Sequence, residues 1–215
     1  MKPFSKWTIE EVEEAFQLAP QKHLRGLQAW MTSSASPSPD EQPQLARLQE
    51  KLQDRVWDWN EEELKVYFII PLLELVDFNA PHYHPFLDRE LSARFHNDIV
   101  AGSVDFMVAS GKRSPKSPYF FLHEYKKEHD SSNDPLGQLM IAMVSAQLLN
   151  QDGHPVYGAY VMGRYWHFTL LDGRDYAVHT GLNACDEELH RIFGVLKNTK
   201  ALIDAWAQAR SSVSQ

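Results

Sequence analysis

Asp105 and the triplet Glu124-Tyr125-Lys126 bring two carboxylates and an ammonium onto two neighbouring runs that read as strands. Side chains alternate faces along a strand. In Ser103-Val104-Asp105-Phe106-Met107-Val108, the apolar Val104, Phe106 and Val108 share one face and Asp105 points to the other. In Tyr119-Phe120-Phe121-Leu122-His123-Glu124-Tyr125-Lys126, Glu124 and Lys126 share a face with Phe120 and Leu122. Charges at the end of such apolar strands are costly to bury unless they pair or bind a metal. Hard oxygen donors of this kind suit Mg²⁺, with Mn²⁺ as a substitute. A salt-bridged cluster at a sheet end is the alternative reading of the same three residues. His123 falls on the opposite face, with Phe121 and Tyr125, and reads as structural rather than as a general base.

Period and punctuation place the elements that must position these residues. Thr8 ahead of Glu10-Glu11 predicts a helix over 8–19, broken at Pro20, with a further helical piece to Met31. Thr32 to Asp40 is a Ser/Pro-rich break, and another helix covers about 43–55. Asn60 caps a helix opened by Glu61, Glu62 and Glu63, whose buried face is Leu64, Phe68, Ile69, Leu72, Leu73 and Val76, with a bend at Pro71. Strands follow at Glu90–Phe95, Ser103–Ala109 and Pro118–Lys127. A helix from Asp134-Pro135-Leu136-Gly137 to about Leu149 comes next, then strands at Val156–Met162 and Tyr165–Leu171 and a helix over about 186–208. The order describes an α/β (α+β) domain over 56–215 that ends in a C-terminal helix. A helical N-terminal extension over 1–55, with a mobile loop at 32–42, precedes it.

Bulk properties narrow the function classes. A formal charge of −8 argues against a large phosphate-gripping surface. Lys112, Arg113 and Lys116, with Lys126 and Lys127, are the candidates for a local basic groove. No apolar run approaches the roughly 20 residues needed to span a bilayer, and Met1 to Trp7 lacks the apolar core of a secretory signal. Cys185 is the sole cysteine, which leaves no disulfide framework; a cytoplasmic protein without a membrane partner is expected. His82-Tyr83-His84 lacks the further ligands of a zinc site and reads as a loop. Trp57, Trp59, Tyr165, Trp166 and Phe168 could stack on bases, although core packing explains them more simply.

Asp105 followed by Glu124-x-Lys126 on the next strand resembles the signature of the PD-(D/E)XK nuclease superfamily, with Val104 in the place of its proline. Glu62-x-x-Lys65 with Pro71-Leu72-Leu73 and Val76 resembles the first core helix of the nuclease domains of type I restriction enzymes. The run from Glu124 to Gln138 is similar to a bacterial family placed in that superfamily. The tyrosine that one recombination-type subgroup carries four residues after this glutamine is Ala142 here. The resemblance spans about 55–180 and implies a restriction-endonuclease-like αβββαβ core and metal-assisted hydrolysis of phosphodiester bonds in nucleic acid, DNA before RNA. In that implied site Asp105, Glu124 and the Tyr125 backbone carbonyl hold Mg²⁺, and Glu62 or Glu63 serves a second ion or a water on it. Lys126 positions the attacking water or stabilises developing charge, and Gln138 orients the site or touches the phosphate. A catalytically inactive nuclease-like domain serving as a binding or assembly module is the competing reading. A homodimer stays open. A glycosidase is disfavoured, because Lys126 shares the face of Glu124 where a second carboxyl would be needed.

Overall fold

The computed structural model describes residues 2–32, 35–96, 98–129 and 134–213. Of the loop expected at 32–42, Ser33 and Ser34 lie outside the described residues, as does Asn97 in the turn expected at 96–98. Thr8 caps α1 (Ile9–Phe16), accepting from the Glu11 N–H while the Glu11 carboxylate accepts from the Thr8 N–H. Ala19–Pro20 forms a short strand, β1, where sequence showed only a helix break. Then α2 (Arg25–Met31) and α3 (Gln42–Arg55) follow.

The helix over 61–76 carries the first site residues. The Asn60 side chain accepts from the Glu63 N–H at 2.8 Å, and the Glu63 carboxylate accepts from the Asn60 N–H at 2.9 Å. The helix runs as α4 (Glu61–Leu64), a π-turn (Lys65–Ile69) and α5 (Ile70–Val76). Pro71 has no N–H, and in a regular helix its ring would press on the carbonyl of Tyr67. Widening the preceding turn, with the Ile70 N–H on the Lys65 carbonyl, relieves that conflict. The bend expected at Pro71 thus takes the form of a π-turn just before it.

Strands β2 (His84–Phe95), β3 (Asp98–Ser110) and β4 (Lys116–Lys126) pair antiparallel in sequence order. Helix α6 (Pro135–Asn150) then returns the chain, so that β5 (Val156–Met162) lies parallel to β4. Strands β6 (Tyr165–Asp172), β7 (Asp175–Val178) and β8 (Leu182–Asn183) extend the sheet, and α7 (Glu188–Val213) ends the described chain. The sheet order is β1-β7-β6-β5-β4-β3-β2, with β8 on β6 and β1 parallel to β7. Strands this short, β1, β7 and β8, carry no periodic signal, and tertiary pairing creates them.

The sheet is covered on both faces, so the chain is a mixed α/β protein. One face, with Met107 and Leu122, packs on α1 and α6; the other, with Phe106, Phe121 and Trp166, packs on α2, α3, the 61–76 helix and α7. Residues before 55 contribute to both layers: Val12 lies on the α6 side, and Trp30 on the other donates to the Thr199 hydroxyl at 2.9 Å. Simple alternation fails at Val104, which packs on the Met107 side rather than with Phe106 and Val108, and at Phe120, which packs on the Phe121 side rather than with Leu122. Val108 pairs with Phe121 but Ala109 pairs with Tyr119, which leaves Phe120 as an extra residue and flips it. No helix among the described residues is long and apolar enough to cross a membrane.

Asp134 ties the two helices of the α6 layer together, its carboxylate accepting from the Gly137 N–H at 2.9 Å and the Ile9 N–H at 2.7 Å. Gly137 lies against the chain entering α1, where an added Cβ would sit 2.5 Å from the Thr8 carbonyl carbon. Backbone cannot yield as a flexible side chain does. Gly137→Ala is expected to lose about 1–3 kcal/mol of stability, measured by urea unfolding.

Candidate functional site

Strands β3 and β4 stay in register as far as Phe106 opposite His123 and then part. Continued pairing would set Asp105 against Glu124. Instead the Asp105 carboxylate fills the fork, its Oδ2 accepting the Tyr125 N–H at 2.8 Å. The Tyr125 ring is buried on the Phe121 side of the sheet, which leaves Glu124 and Lys126 on the other. The Lys126 ammonium donates to Glu124 Oε1 at 2.5 Å and to the Tyr125 carbonyl at 2.9 Å, and lies 3.5 Å from Glu61 Oε2. Asp105, Glu124 and Lys126 therefore converge at one strand end.

A second ammonium belongs to the cluster. Lys65, the first residue of the π-turn, is only 6% exposed. Its Nζ donates to Asp88 Oδ1 at 2.6 Å and lies 4.0 Å from Asp105 Oδ1. Asp88 occupies the β2 position across from Asp105, between the pairs Leu87–Phe106 and Arg89–Val104, and has a left-handed φ of 49°. A non-glycine residue in that region is uncommon and costs conformational energy.

Charge in the cluster is unbalanced. Asp88, Asp105, Glu124 and Glu61 face Lys65 and Lys126, a formal excess of two negative charges when all are ionised. Burial, and then the nearby Asp105 charge, push the Glu124 carboxyl up to about 8 from an ordinary 4.5. Burial also raises Asp105, against the pull of the Tyr125 N–H. Both lysines stay charged. Burial opposes their ammonium forms, but Glu124, Glu61 and Asp105 hold Lys126 above its usual range, and Asp88 and Asp105 do the same for Lys65.

These oxygens are donors that could hold a divalent cation. The Lys126 ammonium already marks positive charge as favoured between Glu124 and the Tyr125 carbonyl. Among the described residues no three His, Cys, Asp or Glu side chains group as a metal cage. Mg²⁺ does not require one, since it keeps several waters and often takes one or two carboxylates. Asp105, Glu124 and the Tyr125 carbonyl are the residues that would hold it.

Other expected site residues lie as follows. Glu63 spends its carboxylate on the cap of its own helix, and Glu62 lies close enough to add to the field at Lys65. It is Glu61 that reaches Lys126. Nothing along the helix announces it, because its partner lies on a strand distant in sequence. Asp88 had no local signal. Gln138 sits on α6 with its Oε1 buried and without a hydrogen-bond partner among the described residues. His123 is fully buried, with Nδ1 3.0 Å from the Tyr125 hydroxyl, and burial drags its pKa to about 3, in keeping with a structural role. The expected basic groove does not assemble. Lys112, Arg113 and Lys116 lie at or beside the β3–β4 hairpin, and from Lys116 to Lys126 the strand covers about 30 Å.

No family model and no curated protein matches this sequence.

The raised Glu124 carboxyl has a measurable consequence. Folding takes up a proton on Glu124 between pH 4.5 and about 8, so its contribution to stability declines as pH rises through that window. Glu124→Gln lacks this titration. The unfolding free energy of the Gln variant relative to wild type is expected to increase steadily from pH 5 to about 8, as followed by urea unfolding at constant ionic strength.

Proposed function

We propose that the protein is a metal-dependent nuclease of the PD-(D/E)XK type that hydrolyses phosphodiester bonds in DNA or RNA. The observation that carries this reading is the meeting of Asp105, Glu124, the Tyr125 carbonyl and Lys126 at one strand end. The architecture agrees with it: a helix over 61–76, three antiparallel strands, a crossover helix and a parallel strand correspond to the αβββαβ core that the resemblance implies.

Bound Mg²⁺ would supply the positive charge that polarises the scissile phosphate. The rest of the chemistry falls to side chains. Lys126 is a largely desolvated ammonium held by three oxygens, and such a charge stabilises what develops on phosphate oxygens in the transition state more strongly than it could in water. Asp105 is oriented by the Tyr125 N–H, so its free oxygen faces the cluster without side-chain search. Lys65, steadied by Asp88, offsets the charge of Asp105.

Incubation with Mg²⁺ or Mn²⁺ and mixed DNA and RNA substrates tests the proposal. Cleavage should vanish with chelator and fall at least about 100-fold in Asp105→Asn and in Lys126→Met, with the fold checked by circular dichroism. Undiminished cleavage by Lys126→Met would sink it. One observation favours the competing reading, a nuclease-like binding module: the basic hairpin is remote from the cluster in a chain of formal charge −8. Calorimetry separates the two. Absence of Mg²⁺ and Mn²⁺ binding by the intact, folded protein selects the module.

A further inference from the structure

At the mouth of the proposed site one aromatic ring is left in solvent. Trp57 is 55% exposed, more than any other large apolar side chain among the described residues. Trp59, Trp166 and Phe168 are buried, and core packing accounts for them. Trp57 lies three residues before Asn60, the cap of the helix that brings Glu61 to Lys126.

Facing Trp57 is the turn between β5 and β6, which is fastened to the site strand. The Gly163 N–H donates to the Lys126 carbonyl at 2.9 Å, and the Arg164 N–H to the Glu128 carboxylate at 2.9 Å. The Arg164 guanidinium lies 4.5 Å from the Trp57 ring centroid and 5.0 Å from that of Tyr165, with Glu128 at 3.4 Å. The His129 ring is 5.2 Å from Trp57 at a shallow angle of 34°. The strand end that carries Lys126 thus continues through exposed Lys127 directly into the Trp57 cluster.

We infer that Trp57, steadied by Arg164 and His129, is a stacking platform for an unpaired base next to the scissile phosphate, and that the substrate is single-stranded nucleic acid or a frayed end. This rests on the nuclease reading of the adjacent cluster. Flat aromatic and guanidinium groups bind bases of any sequence by stacking, whereas bases in an intact duplex are already stacked on each other and must be pulled out at a cost. The charge distribution points the same way. A duplex binder gains affinity from many phosphate contacts along an extended basic surface. Here Lys127 and Arg164 are local to the platform, and the hairpin lysines are about 30 Å away along β4.

Binding measured in chelator, where nothing is cut, separates this inference from turnover. A labelled single strand of about ten nucleotides is compared with its duplex by fluorescence anisotropy at fixed salt. The single strand should bind at least about tenfold tighter, with quenching of tryptophan emission. Trp57→Leu, which keeps bulk but lacks a π-face, should weaken single-strand binding about tenfold, and Trp57→Phe should retain most of it. Equal binding of single strand by Trp57→Leu and wild type, or an equal or stronger grip on duplex, would overturn the platform even in a protein that cuts. Trp57-dependent binding in a protein that cuts neither DNA nor RNA with Mg²⁺ or Mn²⁺ would instead remove the nuclease reading and leave the platform standing.

Discussion

The site depends on a carboxylate that takes the place of a rung in the sheet. Where β3 and β4 separate, the Tyr125 N–H would be a buried donor without a ladder partner, and Asp105 Oδ2 supplies one. The bond holds the strands open at that point and fixes the orientation of Asp105. It also leaves the Tyr125 carbonyl available to Lys126, while the Tyr125 ring anchors the same residue in the core of the opposite face. A fork held by a hydrogen bond on one side and a buried ring on the other has little freedom. That rigidity is what a cation or a developing charge needs.

The surroundings of the fork carry local costs that packing alone does not explain. A π-turn interrupts the helix that delivers Lys65, and Asp88 adopts a left-handed backbone conformation across from Asp105. Both features bring charge to the same place. Pro71 accounts for the π-turn locally, yet the turn begins at the one buried lysine of that helix. Pairing the buried Glu124 and the half-buried Asp105 with two buried ammoniums offsets desolvation only in part, and the raised proton affinity of Glu124 records the remainder. With every group ionised, the cluster retains an excess of negative charge.

Much of the architecture was legible in the sequence, because the signals are local. Thr8 and Asn60 cap their helices through side-chain contacts within three residues, and Asp134 caps α6 in the same way. Alternation placed Glu124 and Lys126 on one face and His123 on the other, since that stretch of β4 has no bulge. It failed at Phe120, where a register shift that no local pattern announces turns the side chain over. The short strands β1, β7 and β8 were invisible for a related reason: two to four residues are too few for a period.

For the centre itself, residue type and strand alternation were enough to single out Asp105, Glu124 and Lys126 and to set Glu124 and Lys126 side by side, because the chemistry of a strand end follows from two-residue periodicity. Tertiary structure alone decided their companions. Glu61 rather than Glu62 or Glu63 faces Lys126, because helix rotation depends on the whole buried face against the sheet. Asp88 enters because β2 lies in a register that sets it across from Asp105. Lys112, Arg113 and Lys116 drop out, because the direction of β4 carries their hairpin to the far end of the sheet. Proximity within a few residues can be read along a chain; which distant carboxylate meets which ammonium is settled only when strands pair and a helix docks.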